Sequence, residues 1–525
     1  MRRREFISAA AKLTAAAFVG QPSGMHELAA EEASSSRISF ESDDIRYMAV
    51  YLRALEVLRK NVANVSGYPQ PVLTEGSNYG GIWLECAPHE GLAYSLIRPD
   101  IARANHLAFF AQQRDDGQIP CWIRKGRAGF GQIQMAVPIA ATALELAQQT
   151  GDGELLEKAY EACRRWDAWL RLYRDTRNSG LCEGFCTWDT GQDNSPRWTG
   201  VPNRCEDGDA RKCPATASLP RLCPDLSATV YGGRKALAAM AKELGKTSDQ
   251  DRWLADAENI RVKIVNRLYV AEDAAFYDLD AHNRFVRIRS DAISRVLGEH
   301  VVDQKLFEAI YQSQIHNPSA FWAAYPLPSI ALNDSAFVRP IPRNSWGGAS
   351  QALTALRAPR WMEHYGKPAD LANLMEKWVK AILGEDKFLQ QLDPIDGKFT
   401  PDQGNYSPAA LVYLAFTWRL RGVRQVGENM EWNVRPPIGG RLETYRLRLS
   451  STRIAELKYK EGGAELSING HGVCHVSGTV RLISDTFGDL KRAIGIADHP
   501  CEVDLRLGRD HQRTLNMNPN GIVML

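Results

Sequence analysis

The sequence predicts a mainly α-helical protein with a small antiparallel β domain at its C-terminal end. Three observations carry that expectation. Apolar residues recur at helical spacing in roughly a dozen segments between about residues 43 and 421, with no strand-like run between them. The connections alternate between short and long, which suits six helical hairpins closed in a ring. Helices that each need burying, with no sheet to cover, must pack on one another. After about residue 430 the apolar period changes to two, with Gly and Asn-Gly turn signals between the runs.

In chain order, Arg2-Arg3-Arg4-Glu5-Phe6-Ile7 and an Ala-rich apolar run to Gly20 read as an export signal over residues 1–30, of the twin-arginine type. The expected location is therefore periplasmic or secreted. The first mature helix is expected from about 43 to 64, capped by Ser42-Asp43-Asp44, with Ile45, Met48, Tyr51, Leu52 and Leu55 on its buried face. A loop from Tyr79 to Gly91 enters the next helix, and helices follow at about 133–149 and 153–173. The stripe Leu155, Ala159, Ala162, Trp166, Leu170 is the clearest 3.6-residue pattern in the chain. Further helices are expected near 225–244, 249–268, 287–298, 303–315, after Trp346 to about 365, and at 368–384 and 406–421. This places a helical body over 40–428. Strand-like runs near 445–449, 464–468, 473–476, 479–482 and 503–507 place a sandwich-like β domain over 429–525.

Composition excludes several classes. The 525 residues hold 64 Lys plus Arg against 62 Asp plus Glu, so no bulk charge attracts nucleic acid. Beyond the signal, no run approaches the roughly 18 apolar residues of a membrane span. No phosphate loop, nucleophile elbow or His-Glu-x-x-His helix is present, no cofactor is implied, and no ligand loop argues for calcium. Cys182, Cys186, Cys205, Cys213 and Cys223 crowd one aperiodic loop, which in an exported chain reads as disulfide stapling.

That loop contains the densest chemistry. Residues 181–198 bring Asp189 and Asp193 together with Trp188, Arg197 and Trp198. Rings that cover the apolar faces of a sugar, beside polar groups that fix its hydroxyls, are what a carbohydrate subsite needs. Gly191-Gln192-Asp193-Asn194-Ser195-Pro196-Arg197-Trp198 resembles the Gly-Met-Asp-Asn-Ser-Pro-Arg stretch of family-63 glycoside hydrolases and of mannosylglycerate-hydrolase-like and trehalase-like enzymes.

The resemblance implies an (α/α)6 toroid and an inverting glycosidase acting on short α-glycosides, with Asp193 as general acid. The sugar would be held by Trp83, Trp188, Asp189, Gln192, Asn194, Arg197, Trp198 and Trp346. Trp83-Leu84-Glu85 is similar to the Trp-x-Trp-Asp segment that opens the pocket in such enzymes, so Glu85 is a further candidate for hydroxyl binding. The family's base is a Glu shortly before an Asp-Pro-x-x-Gly turn. That turn is Asp393-Pro394-Ile395-Asp396-Gly397 here, and Gln390 or Gln391 occupies the Glu position. An amide cannot take a proton from water, so the base passes to another carboxylate, of which Asp402, Glu385 and Glu85 are candidates, or the alignment shifts, or the chain binds sugar without cleaving it. A polysaccharide lyase, with Tyr325, Tyr406 or His364 in its machinery, is the enzymatic alternative. It would not need the Asp193 stretch.

Overall fold

The computed structural model describes residues 36–437, 439, 442–508 and 511–525, so the expected export signal lies outside the described residues. Twelve α-helices are present among them: α1 (Ile45–Asn61), α2 (Ala87–Tyr94), α3 (Pro99–Ala111), α4 (Ile139–Thr150), α5 (Gly153–Tyr173), α6 (Pro224–Glu243), α7 (Thr247–Leu268), α8 (Ala292–Gly298), α9 (Gln304–Ile310), α10 (Ala352–Met362), α11 (Pro368–Glu385) and α12 (Ser407–Arg421). The even-numbered helices form a closed inner ring, each packing on the next, with α12 returning to α2. Helices α3, α5, α7 and α11 pack on α2, α4, α6 and α10 as their hairpin partners, and α1 completes the last hairpin with α12.

The ring has two unlike ends. Connections from an inner helix to its outer partner take a few residues, such as 151–152 and 244–246. Connections from an outer helix to the next inner one are long: 62–86, 112–138, 174–223, 269–291, 311–351 and 386–406. All six therefore gather at the end where the inner helices begin, above the barrel axis.

Local sequence explains the helix ends. Asp44 accepts from the Tyr47 amide at 3.0 Å and Asp152 from that of Leu155 at 2.9 Å, each satisfying an orphan donor of a first turn. Gly151 ends α4 in the left-handed conformation, at φ 69°. The expected face of α1 is corrected. Ile45 and Leu52 are 86 % and 54 % exposed; Tyr51 is buried as expected, and Tyr47, Val50, Ala54 and Leu58 are buried with it. The cause is tertiary: Tyr47 bonds Thr417 of α12 at 2.9 Å, and the Tyr51 hydroxyl accepts from the Trp418 indole at 3.1 Å.

Two antiparallel sheets follow the barrel, as the C-terminal runs predict, and short strands in the loops between the helices, where none were expected, make the chain less exclusively helical. The strands of these sheets and of the barrel mouth are β1 (Ile38–Ser42), β2 (Gly81–Trp83), β3 (Trp122–Arg124), β4 (Arg127–Gly129), β5 (Val423–Val426), β6 (Asn429–Val434), β7 (Glu443–Arg448), β8 (Ile454–Lys460), β9 (Gly463–Ile468), β10 (His471–Ser477), β11 (Val480–Asp485), β12 (Leu490–Ile494), β13 (Cys501–Leu507), β14 (His511–Met517) and β15 (Ile522–Met524). The larger sheet runs β1-β7-β8-β9-β10-β13-β14 and the smaller β5-β6-β11-β12-β15. Asn469 and Gly470, both at positive φ, make the tight turn between β9 and β10. Strand β1 precedes the barrel in sequence yet pairs with β7, setting Phe40 opposite Tyr445. Arg481 of β11 seats on Glu363 after α10 at 2.5 and 2.9 Å, tying sheet to barrel.

Candidate active site

The loop from α5 to α6 enters the mouth of the ring on a frame of buried ion pairs. Arg174, at the end of α5, reaches both oxygens of Asp189 at 2.5 and 3.1 Å, and the amides of Ile133, Phe185 and Cys186 donate to the same carboxylate. Arg197 is clamped between Asp225 at 2.7 and 2.8 Å and Asp278 at 2.6 and 2.8 Å, and it also donates to Gln192. The Gln192 amide donates to Asp291, and the Trp198 indole donates to Thr190 Oγ1 at 3.0 Å. Asp189, Gln192, Arg197 and Trp198 are buried and fully engaged. These four were expected to touch sugar; here their polar groups are bonded to Arg174, Asp291, Asp225, Asp278, Thr190 and backbone amides.

What that frame holds up is Asp193. Its Oδ2 accepts from Asn344 Nδ2 at 2.8 Å, its carbonyl accepts from the Trp346 amide at 3.0 Å, and Asn194 Nδ2 returns a bond to the Asn344 carbonyl at 2.8 Å. Asn194 and Asn344 both stand at positive φ, 57° and 47°, a conformation that Asn tolerates better than most residues. Burial pushes the Asp193 carboxyl above the usual carboxylate range, and hydrogen bonds from Asn344 and Trp188 partly offset this.

A relay of side chains leads away from Asp193. Asn344 Oδ1 accepts from Gln390 Nε2 at 2.9 Å, and Gln390 Oε1 accepts from the Tyr79 hydroxyl at 3.3 Å. Gln391 faces elsewhere, bonded to the Ser345 amide, Gln351, Pro342 and Thr400. Gln390 is thus the amide that faces the acid. Asp402 sits on the rim beyond it. Its Oδ1 accepts from Asn78 at 2.8 Å and pairs with Arg343 at 3.3 Å. Adjacent residues 343 and 344 therefore tether Asp402 and Asp193 respectively.

Below lies the barrel interior. Glu85 is so close under the loop that a Cβ built on Gly191 would fall 1.1 Å from Glu85 Oε2, and Gly191 stands at φ 65°. Both features demand glycine there. Burial raises the Glu85 carboxyl to about 8, against the pull of Arg357 and Arg295. Glu90 on α2, fully buried, is raised to about 7 by burial. Burial first, then the charges of Glu90 and Glu85, raises Glu75, whose Oε1 accepts from the Tyr406 hydroxyl at 2.7 Å. Trp83 and Trp346 are buried with Cys86 and Leu353, so the open ring surface at the mouth belongs to the half-buried Tyr79, Trp122 and Trp188.

Sequence reasoning missed Glu75, Glu90, Asn344, Arg295 and Arg357 as members of the site. Arg357 carried a usable signal, because it falls on the apolar face of α10, four residues from both Leu353 and Trp361. The expected disulfides are also corrected. The ten cysteines are free thiols, and the Cys186 and Cys205 sulfurs lie 3.6 Å apart beside the Arg174 guanidinium. Cys186, Asp189 and Cys205 could be grouped as metal ligands, as could Cys223, Asp225 and Asp278, but arginines already claim the carboxylates of both groups.

The ring of six hairpins with its carboxylate-bearing mouth defines a six-hairpin glycosidase-like fold. The GH63 mannosylglycerate hydrolase from Thermus thermophilus, in complex with Tris, superimposes with a TM-score of 0.57 at 19 % identity, over 70 % of this chain and 99 % of that one. The neutral trehalase of Saccharomyces cerevisiae gives 0.54 at 13 %, over 70 % and 80 %. The alpha-L-rhamnosidase from Dictyoglumus thermophilum gives 0.55 at 11 %, over 93 % and 50 %. No curated protein matches the chain. The profile of the mannosylglycerate hydrolase MGH1-like glycoside hydrolase domain matches residues 79–418, and the chain belongs to that family. Among the described residues no helix is long and apolar enough to cross a membrane.

Proposed function

We propose that the protein is an exported glycosidase that cleaves short α-glycosides with inversion, Asp193 donating the proton and Asp402 activating water. The observation that carries this reading is the placement of Asp193. Its half-buried carboxyl at the mouth is held by Asn344, its backbone carbonyl by the Trp346 amide, and burial favours the protonated form. A group held protonated beside a glycosidic oxygen is a general acid.

In the forward step the Asp193 proton passes to the leaving oxygen as the C1–O bond breaks. Water attacks C1 from the opposite face and gives up its proton. Gln390 cannot accept it. Glu85, raised to about 8, is largely protonated at neutral pH and suits hydroxyl binding better than base catalysis. The bonds that Asp402 accepts from Asn78, Arg343 and the Gln403 amide all fall on its Oδ1, which leaves Oδ2 to face a water. Export is supported by the Arg2-Arg3-Arg4 signal, and the α-glycoside class by the named relatives.

Gln390 also supports a second reading, a sugar-binding protein without turnover. Anomeric NMR on the purified mature protein separates the two. The first reading predicts an initial product of inverted configuration, a loss of about 10²–10⁴-fold in kcat on Asp402→Asn, and retained sugar affinity. Binding with no product from a broad glycoside panel would leave the second.

A further inference from the structure

Several buried charged side chains keep an atom without a hydrogen-bond partner, and among them Glu85, Glu90, Arg295 and Arg357 lie at the floor of the barrel. Arg357 on α10 is 8 % exposed and, among the described residues, has no carboxylate within 4.0 Å. One of its N–H groups, Nη2, donates to the Glu85 carbonyl at 2.9 Å, and its Nε has no partner. Arg295 on α8 is 5 % exposed; it bonds Asp291 and the Thr190 carbonyl, and its Nη2 has no partner. Glu85 Oε2 is likewise buried without a partner. Arg357 holds the Glu85 carbonyl, Arg295 holds the Thr190 carbonyl, and the next residue, Gly191, lies against Glu85 Oε2, so the three groups meet beneath the loop that carries Asp193.

A buried guanidinium without a counter-ion is costly, and orphaned N–H groups add the full desolvation penalty. Asp291 answers the charge of Arg295. Among the described residues no carboxylate pairs with Arg357, and burial raises its neighbours Glu85 to about 8 and Glu90 to about 7. An anion arriving with the substrate would satisfy both guanidinium N–H groups, and a protonated Glu85 would present an O–H donor to the same anion.

We propose that the sugar in this deep subsite is a uronic acid, its carboxylate received by the unpartnered N–H groups of Arg357 and Arg295 and by Glu85. The planar two-oxygen carboxylate matches a guanidinium fork and is fixed to the ring being cleaved, so recognition and positioning coincide. The proposal rests on the reading that this mouth cleaves glycosides.

The test compares paired α-hexuronides, α-hexosides and 6-O-sulfated α-hexosides on the mature protein. A kcat/KM for hexuronides about 10- to 100-fold above the matched hexosides is expected. That ratio should collapse in Arg357→Gln and persist in part in Arg357→Lys. Thermal shift of Asp193→Asn with free glucuronate, galacturonate and glucose gives a readout independent of turnover, and only the uronates should raise the melting temperature. Hexosides cleaved as well as hexuronides would overturn the uronate assignment and leave the glycosidase standing. A preference for the sulfated series would overturn it in favour of a sulfated sugar. Uronate binding without cleavage of any substrate would support the subsite and remove the glycosidase. No uronate binding and no cleavage would overturn both.

Discussion

Two groups of buried charges lie within one loop's reach of each other and behave oppositely. In the first, Arg197 meets Asp225 and Asp278, and Arg174 meets Asp189, with backbone amides completing the carboxylate's bonds. In the second, Glu85, Glu90, Arg295 and Arg357 keep buried polar atoms with no partner at all. Both are removed from water, so burial does not separate scaffold from site. Counter-ions do: Arg174 and Arg197 each face a carboxylate on both sides of the fork or at both oxygens, whereas Arg357 faces none among the described residues, which leaves it work for a ligand.

The contrast can be broken most sharply by replacing one arginine from each group. Arg197→Met leaves Asp225 and Asp278 buried without their cation and is expected to cost about 3–5 kcal/mol. Arg357→Met removes a charge that has no counter-ion, and stability should hold or rise. Urea unfolding of both variants decides; equal losses would erase the distinction.

A smaller effect separates the groups by pH. The Glu85 carboxyl goes from an ordinary 4.5 to about 8 in the fold. Between those values the native state holds a proton that the unfolded chain has released, so stability falls as pH rises through that window, by on the order of a few kcal/mol in total. Melting temperature should decline from about pH 5 to pH 8 in the wild type, and Glu85→Gln should flatten the decline. A curve unaltered by Glu85→Gln would mean that Glu85 is paired in solution. Asp225 behaves in reverse. Arg197 draws it below its ordinary value despite burial, so its contribution is lost only as pH falls into the acid range.

The smallest expected change sharpens the relay instead. Gln390→Glu places a carboxylate against Asn344 and Tyr79, where an amide now both donates and accepts. A modest gain in hydrolysis, read as kcat, is expected if water can reach that position. A loss would show that the Asn344 bond to Asp193 depended on the amide.

The same contrast explains what the sequence could disclose. Helix positions were legible where apolar residues kept strict spacing, as in α5, whose expected and observed limits coincide at 153 and 173. The buried face of α1 was legible only in part, because Tyr47 finds its partner, Thr417, on α12, adjacent in space but some 370 residues away in sequence. Strand β1 was invisible for a similar reason, since its partner β7 lies some 400 residues away. The Asp193 stretch was legible as a motif. Which of its neighbours touch ligand was not, because Arg197 and Arg357 differ only in what stands opposite them, and residue type is silent on that.

The central claim is that Asp193 is the proton donor of a glycosidase, and the most direct measurement is turnover of a broad glycoside and oligosaccharide panel by wild type and Asp193→Asn side by side. Cleavage by the wild type, a fall of at least about 10²-fold in the variant, and unchanged circular dichroism would bear the claim out. Undiminished cleavage by a folded Asp193→Asn would contradict it.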